Sequence, residues 1–236
     1  MTLSPYDYGF WVLGFLLEVY VVLCTIVRKS FLRYLPLNLY MLGIATSESM
    51  EYLLAHKYGL TSPEYMYFYY YSESLLCVFL YFVIMGFYKQ VFQEMNVSKY
   101  VRTATLLVLA VTMLFSYLIV RHNQAHLTSR FVVALGQNLY FVGVALTYLL
   151  WVALLKLRET RARLVQLVLA LGVYFSALAA IYALRNLFPS LETSILKFLI
   201  PLVGAWLPLA WGYTFTKVPE DARLAPSRLT VGAAAG

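Results

Sequence analysis

The residues of this chain best placed for chemistry are Glu18, Glu48 and Glu73, each an acid set inside a long apolar run. A carboxyl group at the centre of a bilayer costs ~2.5–3.5 kcal/mol on insertion scales, so it is expected to face protein or enclosed water. Glu18 lies ~13 Å from the outer end of the first run, and Glu48 lies roughly 10 Å below the outer surface on the second. Glu73 sits at a similar estimated depth on the third, and Glu51 follows Glu48 by three positions, near one face of the same helix. Carboxylates in a shared recess suit binding of a proton, a cation or a small amine-bearing ligand.

Other polar groups fall near that level. Gln137 and Asn138 lie on the fifth run, Ser116 on the fourth and Ser176 on the sixth, and Ser72 and Ser74 flank Glu73. Tyr69, Tyr70, Tyr71 and Tyr174 bring phenolic donors, while Lys197 and Arg185 near the outer ends are candidate counter-charges. The expected site is therefore an outer-half polar pocket of Glu18, Glu48, Glu73, Gln137, Asn138 and Lys197. The competing reading is that these groups bond across helices as structural glue, at ~0.6 kcal/mol each.

Other chemistries find fewer residues. His56, His122 and His126 lie in or beside outer loops, unsuited to axial haem ligation within facing helices. His122 and His126 are spaced to share a helix face, yet two ligands fall short of a zinc site. Asp7 and Asp221 are the only aspartates, which excludes an intramembrane aspartyl dyad. No serine has a mid-membrane histidine to activate it, and His-Glu-x-x-His and phosphate-cradling glycine loops are absent. The expectation is a non-enzymatic protein without cofactor or metal.

The elements that must position these acids follow from composition. Apolar residues make up 62% of the 236, and charged residues only 12%, about half the usual share. A water-soluble domain with that balance would lack polar residues to cover its surface. Twelve Gly, eight Pro and two Cys exclude collagen-like, disordered and disulfide-scaffold classes. Cys24 and Cys77 lie in apolar runs and read as small buried hydrophobes.

A hydrocarbon core of ~30 Å takes about 20 apolar residues per helix. Seven runs meet that length, at 8–27, 34–54, 67–87, 101–120, 131–155, 164–184 and 194–216. They predict an all-α integral membrane protein, a bundle of seven transmembrane helices in a single domain over 1–218. The first run has no Lys or Arg before Arg28 and reads as a retained helix rather than a signal peptide.

The net charge of +7 comes from short basic clusters between runs rather than from a nucleic-acid patch, so nucleic acid is not an expected partner. With the N-terminus outside, thirteen of the 18 Lys and Arg fall on the cytoplasmic side and five opposite. That bias predicts an N-out, C-in, multi-pass protein of a plasma or bacterial inner membrane, with the bilayer as its main partner.

Residues 88–100 are an amphipathic turn or a solvated loop, and 219–236 reads as a disordered cytoplasmic tail. Pro201 and Pro208 interrupt the seventh run and permit a kink. Seven helices invite comparison with rhodopsins and receptor-type bundles. However, Lys197 is only a turn inside the outer edge, and neither Asp-Arg-Tyr nor Asn-Pro-x-x-Tyr occurs, so no family is assigned. Three functions stay open. The first is sensing or binding of a small cationic or polar ligand, with a cytoplasmic partner protein; the others are proton- or cation-coupled transport and a structural or assembly role.

Overall fold

In the computed structural model, the structure describes residues 5–93, 98–120, 127–187 and 196–224. Among the described residues there are seven helices and no multi-residue strand. They are α1 (Pro5–Val27), α2 (Leu35–Tyr58), α3 (Pro63–Val91), α4 (Ser98–Val120), α5 (Leu127–Lys156), α6 (Ala162–Leu187) and α7 (Leu196–Lys217).

Five of them contain segments long and apolar enough to cross a membrane: Tyr8–Val27, Pro63–Val91, Phe131–Lys156, Ala162–Leu184 and Leu199–Lys217. The chain is thus an all-helical bundle of membrane type. The expectation of seven such spans meets two exceptions. α2 carries Ser47, Glu48, Ser49 and Glu51 through its middle, and the apolar stretch on α4 is the shorter Leu106–Leu118.

The helix ends are written locally. Ser62 accepts a hydrogen bond from the Tyr65 amide (3.2 Å), Pro63 opens α3, and Glu64 occupies its first turn. α1 closes in a Schellman arrangement: the Ser30 amide donates to Thr25 O (2.9 Å) and the Lys29 amide to Ile26 O (2.9 Å). α5 repeats it through Glu159 to Leu154 O (3.0 Å) and Arg158 to Leu155 O (3.2 Å). The left-handed residues are Lys29 (φ 52°) and Arg158 (φ 47°), where glycine is the usual choice.

α1, α2, α3, α5, α6 and α7 form a closed ring in which each packs on the next and α7 returns to α1. α4 lies against α5 and α3, and α3 reaches across to α6. Trp211, Phe87, Phe215, Tyr81 and Ile84 fill the centre, fully buried. Tyr40 and Phe87 meet Trp211 edge-on, at 6.4 and 6.5 Å between ring centroids.

Three of the four tryptophans anchor to α6 carbonyls: Trp211 to Leu167 (3.2 Å), Trp151 to Val168 (3.3 Å) and Trp206 to Ala170 (3.2 Å). Outward faces are apolar instead, as with Leu13, Leu16 and Leu23 on α1 and Leu107, Val111 and Leu114 on α4. Such a surface suits lipid rather than water.

At the end where α1, α3, α5 and α7 finish, the chain is stitched by polar bonds. Arg163 donates to Val218 O from Nη2 (2.7 Å) and Nε (3.0 Å), and Arg28 donates to Thr216 O (2.8 Å). Glu220 pairs with Arg33 and with Arg163 (3.4 Å). The Leu224 amide donates to Thr160 O (2.7 Å) and the Ala162 amide to Ala222 O (3.0 Å). A tail disordered from residue 219 is therefore corrected as far as Leu224, because ion pairs and backbone bonds hold residues 219–224 against the α5–α6 turn. Residues 225–236 lie outside the described residues, as do 94–97 of the expected amphipathic turn and both His122 and His126.

Candidate functional site

Glu48 and Glu51 are about 60° apart around α2, which lets one helix address two neighbours. Glu48 turns to α1, where its Oε1 and Oε2 lie 3.6 and 3.8 Å from the position a Cβ on Gly14 would take. Gly14 is one turn from Glu18, so the Glu48 carboxyl packs on α1 close to Glu18. Glu18 is only 4% exposed, and it and Glu48 are within electrostatic range of each other. The Oε2 atoms of Glu18 and Glu48 are both buried with no hydrogen-bond partner among the described residues.

Glu51 faces α3 instead, and its Oε1 accepts from Ser72 Oγ (3.2 Å). Its carboxyl is in turn within range of Glu48 and Glu73. Glu73 Oε1 accepts a 2.6 Å hydrogen bond from Tyr140 Oη on α5. The Tyr140 ring stacks on Tyr182 of α6 at 5.5 Å, and the Tyr40 and Tyr174 hydroxyls lie 3.5 Å apart nearby. Glu18, Glu48, Glu51 and Glu73 thus make one acidic seam across α1, α2 and α3. Among the described residues no salt bridge reaches any of the four.

Of the acids named from the sequence, Glu18 and Glu48 lie at the α1–α2 contact and Glu73 on α3, with Glu51 between α2 and α3. Asn138 lies elsewhere. Its Nδ2 donates to Ser116 Oγ (2.9 Å), which ties α5 to α4 on the other side of the helix from Tyr140. Asn138 and Ser116 bond to each other at the α4–α5 contact rather than to an acid of the seam.

Gln137 is half-buried on α5, one turn before Tyr140, and bonds to none of the acids among the described residues. Ser74 donates to Val132 O (2.9 Å) rather than to a carboxylate. The side chains of Lys197 and Arg185 lie outside the described residues. Among the described residues, no three His, Cys, Asp or Glu side chains are grouped to hold a metal ion.

Sequence reasoning missed Glu51 as the link, Tyr140 as the donor to Glu73, and an aromatic group above the seam. Trp11 and Tyr52 meet at 5.2 Å, Tyr8 and Tyr52 at 6.4 Å, and Tyr52 stacks on His56 at 6.3 Å. The available signal was spacing. Trp11, Gly14 and Glu18 recur at three and four residues on α1, and Glu48, Tyr52 and His56 recur at four on α2.

At the basic end, Glu159 accepts from Arg161 Nε (2.8 Å) and Nη2 (2.6 Å). Those guanidinium bonds hold its carboxyl below the ordinary carboxylate range.

Compared with protein-family models, curated proteins and solved structures, the chain matches none. Its own geometry alone carries the functional argument. The chain is a polytopic helical protein of membrane type, with an acidic seam at the α1–α2–α3 contacts.

Proposed function

We propose that the chain is a seven-span, non-enzymatic protein of a plasma or bacterial inner membrane that binds a small cationic ligand at the Glu18–Glu48 seam. One observation carries this reading: two neighbouring carboxyl groups on different helices each keep a buried oxygen without a hydrogen-bond partner among the described residues. Two carboxylates shut between helices repel and lose hydration, so a proton or a cation must join them. α2 takes the place of a full span because its acids face protein rather than lipid. The orientation is N-out and C-in, supported by the cluster of Arg28, Arg33, Arg161 and Arg163 at the end where α1, α3, α5 and α7 finish. Binding is passed to a cytoplasmic partner through that basic end.

The test uses the full chain in lipid nanodiscs. Titration with n-butylammonium, tetramethylammonium, Na⁺ and K⁺ is expected to raise the unfolding temperature of the native chain for at least one cation. Glu18→Gln and Glu48→Gln are expected to remove that rise. A native chain that responds to none of them, with both variants indistinguishable from it, overturns the reading and leaves an assembly role. For orientation, a cysteine replacing Lys57 is expected to react with an impermeant thiol reagent from outside, and one replacing Lys156 only after permeabilisation.

A second reading, proton- or cation-coupled transport, is favoured by the continuity from Glu48 through Glu51 and Ser72 to Glu73 and Tyr140. In liposomes it requires cation-driven flux that vanishes in Glu73→Gln. Binding without flux leaves the sensing role.

A further inference from the structure

We infer that the ligand of the outer α1–α2 seam is an organic ammonium ion, its charge held by Glu48 and Glu18 and its alkyl groups laid on Trp11 and Tyr52. This rests on the cation-binding reading above and names its substrate class. The same two helices that supply the carboxyls supply the rings. Tyr52 stands one turn beyond Glu48 on α2, and Trp11 stands one turn before Gly14 on α1. Their rings meet across the helix contact at 5.2 Å and 63°, edge to face. On each helix the ring stands nearer the outer end than the carboxyl, by one turn from Glu48 on α2 and by two turns from Glu18 on α1. Tyr52 is 43% exposed, with His56 stacked against its ring at 6.3 Å.

Glu18 is the second, independent sign of a ligand. It is buried to all but 4%, and its Oε2 has no hydrogen-bond partner among the described residues. Gly14 lies between Trp11 and Glu18 on α1, with the Glu48 oxygens 3.6 and 3.8 Å from the position its Cβ would take, so Glu48 packs on α1 one turn from Glu18.

An inorganic cation fits this set poorly. Hard cations such as Ca²⁺ and Mg²⁺ require a shell of about six or more oxygens. Here two carboxyls lie within electrostatic range of each other, and among the described residues no three metal-ligating side chains are grouped. An alkylammonium needs less oxygen, since a ring face replaces part of its hydration through cation–π attraction and its carbon atoms favour apolar contact. Charge at the floor and aromatic rings at the mouth match an ion with one charged nitrogen and an apolar body.

The experiment measures binding by calorimetry on the full chain in nanodiscs, at fixed ionic strength, with n-butylammonium, tetramethylammonium, Na⁺ and K⁺ as probes. The ammonium ions are expected to bind and the alkali ions to bind at least about tenfold more weakly. Trp11→Leu and Tyr52→Leu should each weaken ammonium binding about tenfold, while Glu48→Gln abolishes it. Tryptophan emission of the native chain gives a readout independent of these variants. It should change on adding butylammonium, and Trp11→Phe should remove the change.

Two results overturn the inference and leave the cation site standing. One is Na⁺ or K⁺ binding as tightly as butylammonium; the other is ammonium binding that is lost in Glu48→Gln yet unmoved by Trp11→Leu and Tyr52→Leu. Absence of binding by every probe, with Glu18→Gln and Glu48→Gln unchanged from the native chain, removes the site itself.

Discussion

Lys29 and Arg158 both adopt a left-handed backbone conformation, which for an L-residue costs about 1–2 kcal/mol. Both end helices at the basic end, where a cation complements the helix dipole. Lys29→Gly and Arg158→Gly are each expected to stabilise the fold by about 1 kcal/mol, read as a higher midpoint in denaturant. A lower midpoint would show that the side chain, not the backbone, dominates there. Glu159, next to Arg158, carries a pH dependence of known sign. Its lowered folded pKa contributes stability that is complete above the unfolded value of about 4.3 and is lost as pH falls through the folded value. Glu159→Gln should therefore be less stable than the native chain at pH 7, with the gap closing in acid; a gap constant with pH refutes it. Glu18, Glu48 and Glu73 stood out in the sequence because an acid in an apolar run has few alternatives to facing protein. The partner of each was not legible. Asn138 and Tyr140 are two residues apart on α5, yet Asn138 bonds to α4 and Tyr140 to Glu73, a choice made by helix rotation.

Elements were the most legible level, since an unbroken apolar run in a membrane protein has to be helical to satisfy its own backbone. The run expected at 67–87 is α3 from Pro63 to Val91, longer because Ser62 and Pro63 start the helix one turn before the apolar run begins. Which helices touch was not legible, and glycines decide much of it. Gly143 lies under the Phe175 ring, and Gly172 lies under Trp151 beside Thr147, so α5 and α6 interlock backbone to ring. A methyl at either position would overlap aromatic atoms. Gly143→Ala and Gly172→Ala are expected to cost about 1–3 kcal/mol from overpacking. Gly204 on α7 has nothing within 4 Å of its would-be Cβ. Gly204→Ala should instead gain up to about 1 kcal/mol of helix propensity. Thermal unfolding in one detergent orders the three variants. Equal effects at all three positions would mean that helix propensity, not interlocking, sets the outcome.

At the scale of the whole molecule, the ring of helices is closed at the basic end by the segment after α7, which composition alone reads as unstructured. Residues 219–224 are few, half of them charged, and nothing in their types announces that Arg33 and Arg163 wait for Glu220. Two forces share this closure. Arg163, whose side chain is 3% exposed, donates twice to Val218 O and so caps the C-terminal end of α7 from the start of α6. Glu220 is 37% exposed and pairs with Arg33 and Arg163 in reach of solvent. Exposed ion pairs contribute ~0–1 kcal/mol, whereas hydrogen bonds from a buried charge contribute ~1.5–3 kcal/mol and leave an orphaned carbonyl when lost. Arg163→Met is therefore expected to destabilise the chain by about 2–4 kcal/mol, and Glu220→Gln by less than about 1 kcal/mol. Limited proteolysis after residue 218 should rise steeply in the first variant and slightly in the second. Because the Glu220 pairs are screened and the Val218 bonds are not, 0.5 M salt should erase the smaller effect and spare the larger one. If Glu220→Gln opens the end as far as Arg163→Met does, ion pairing rather than carbonyl capping closes the bundle.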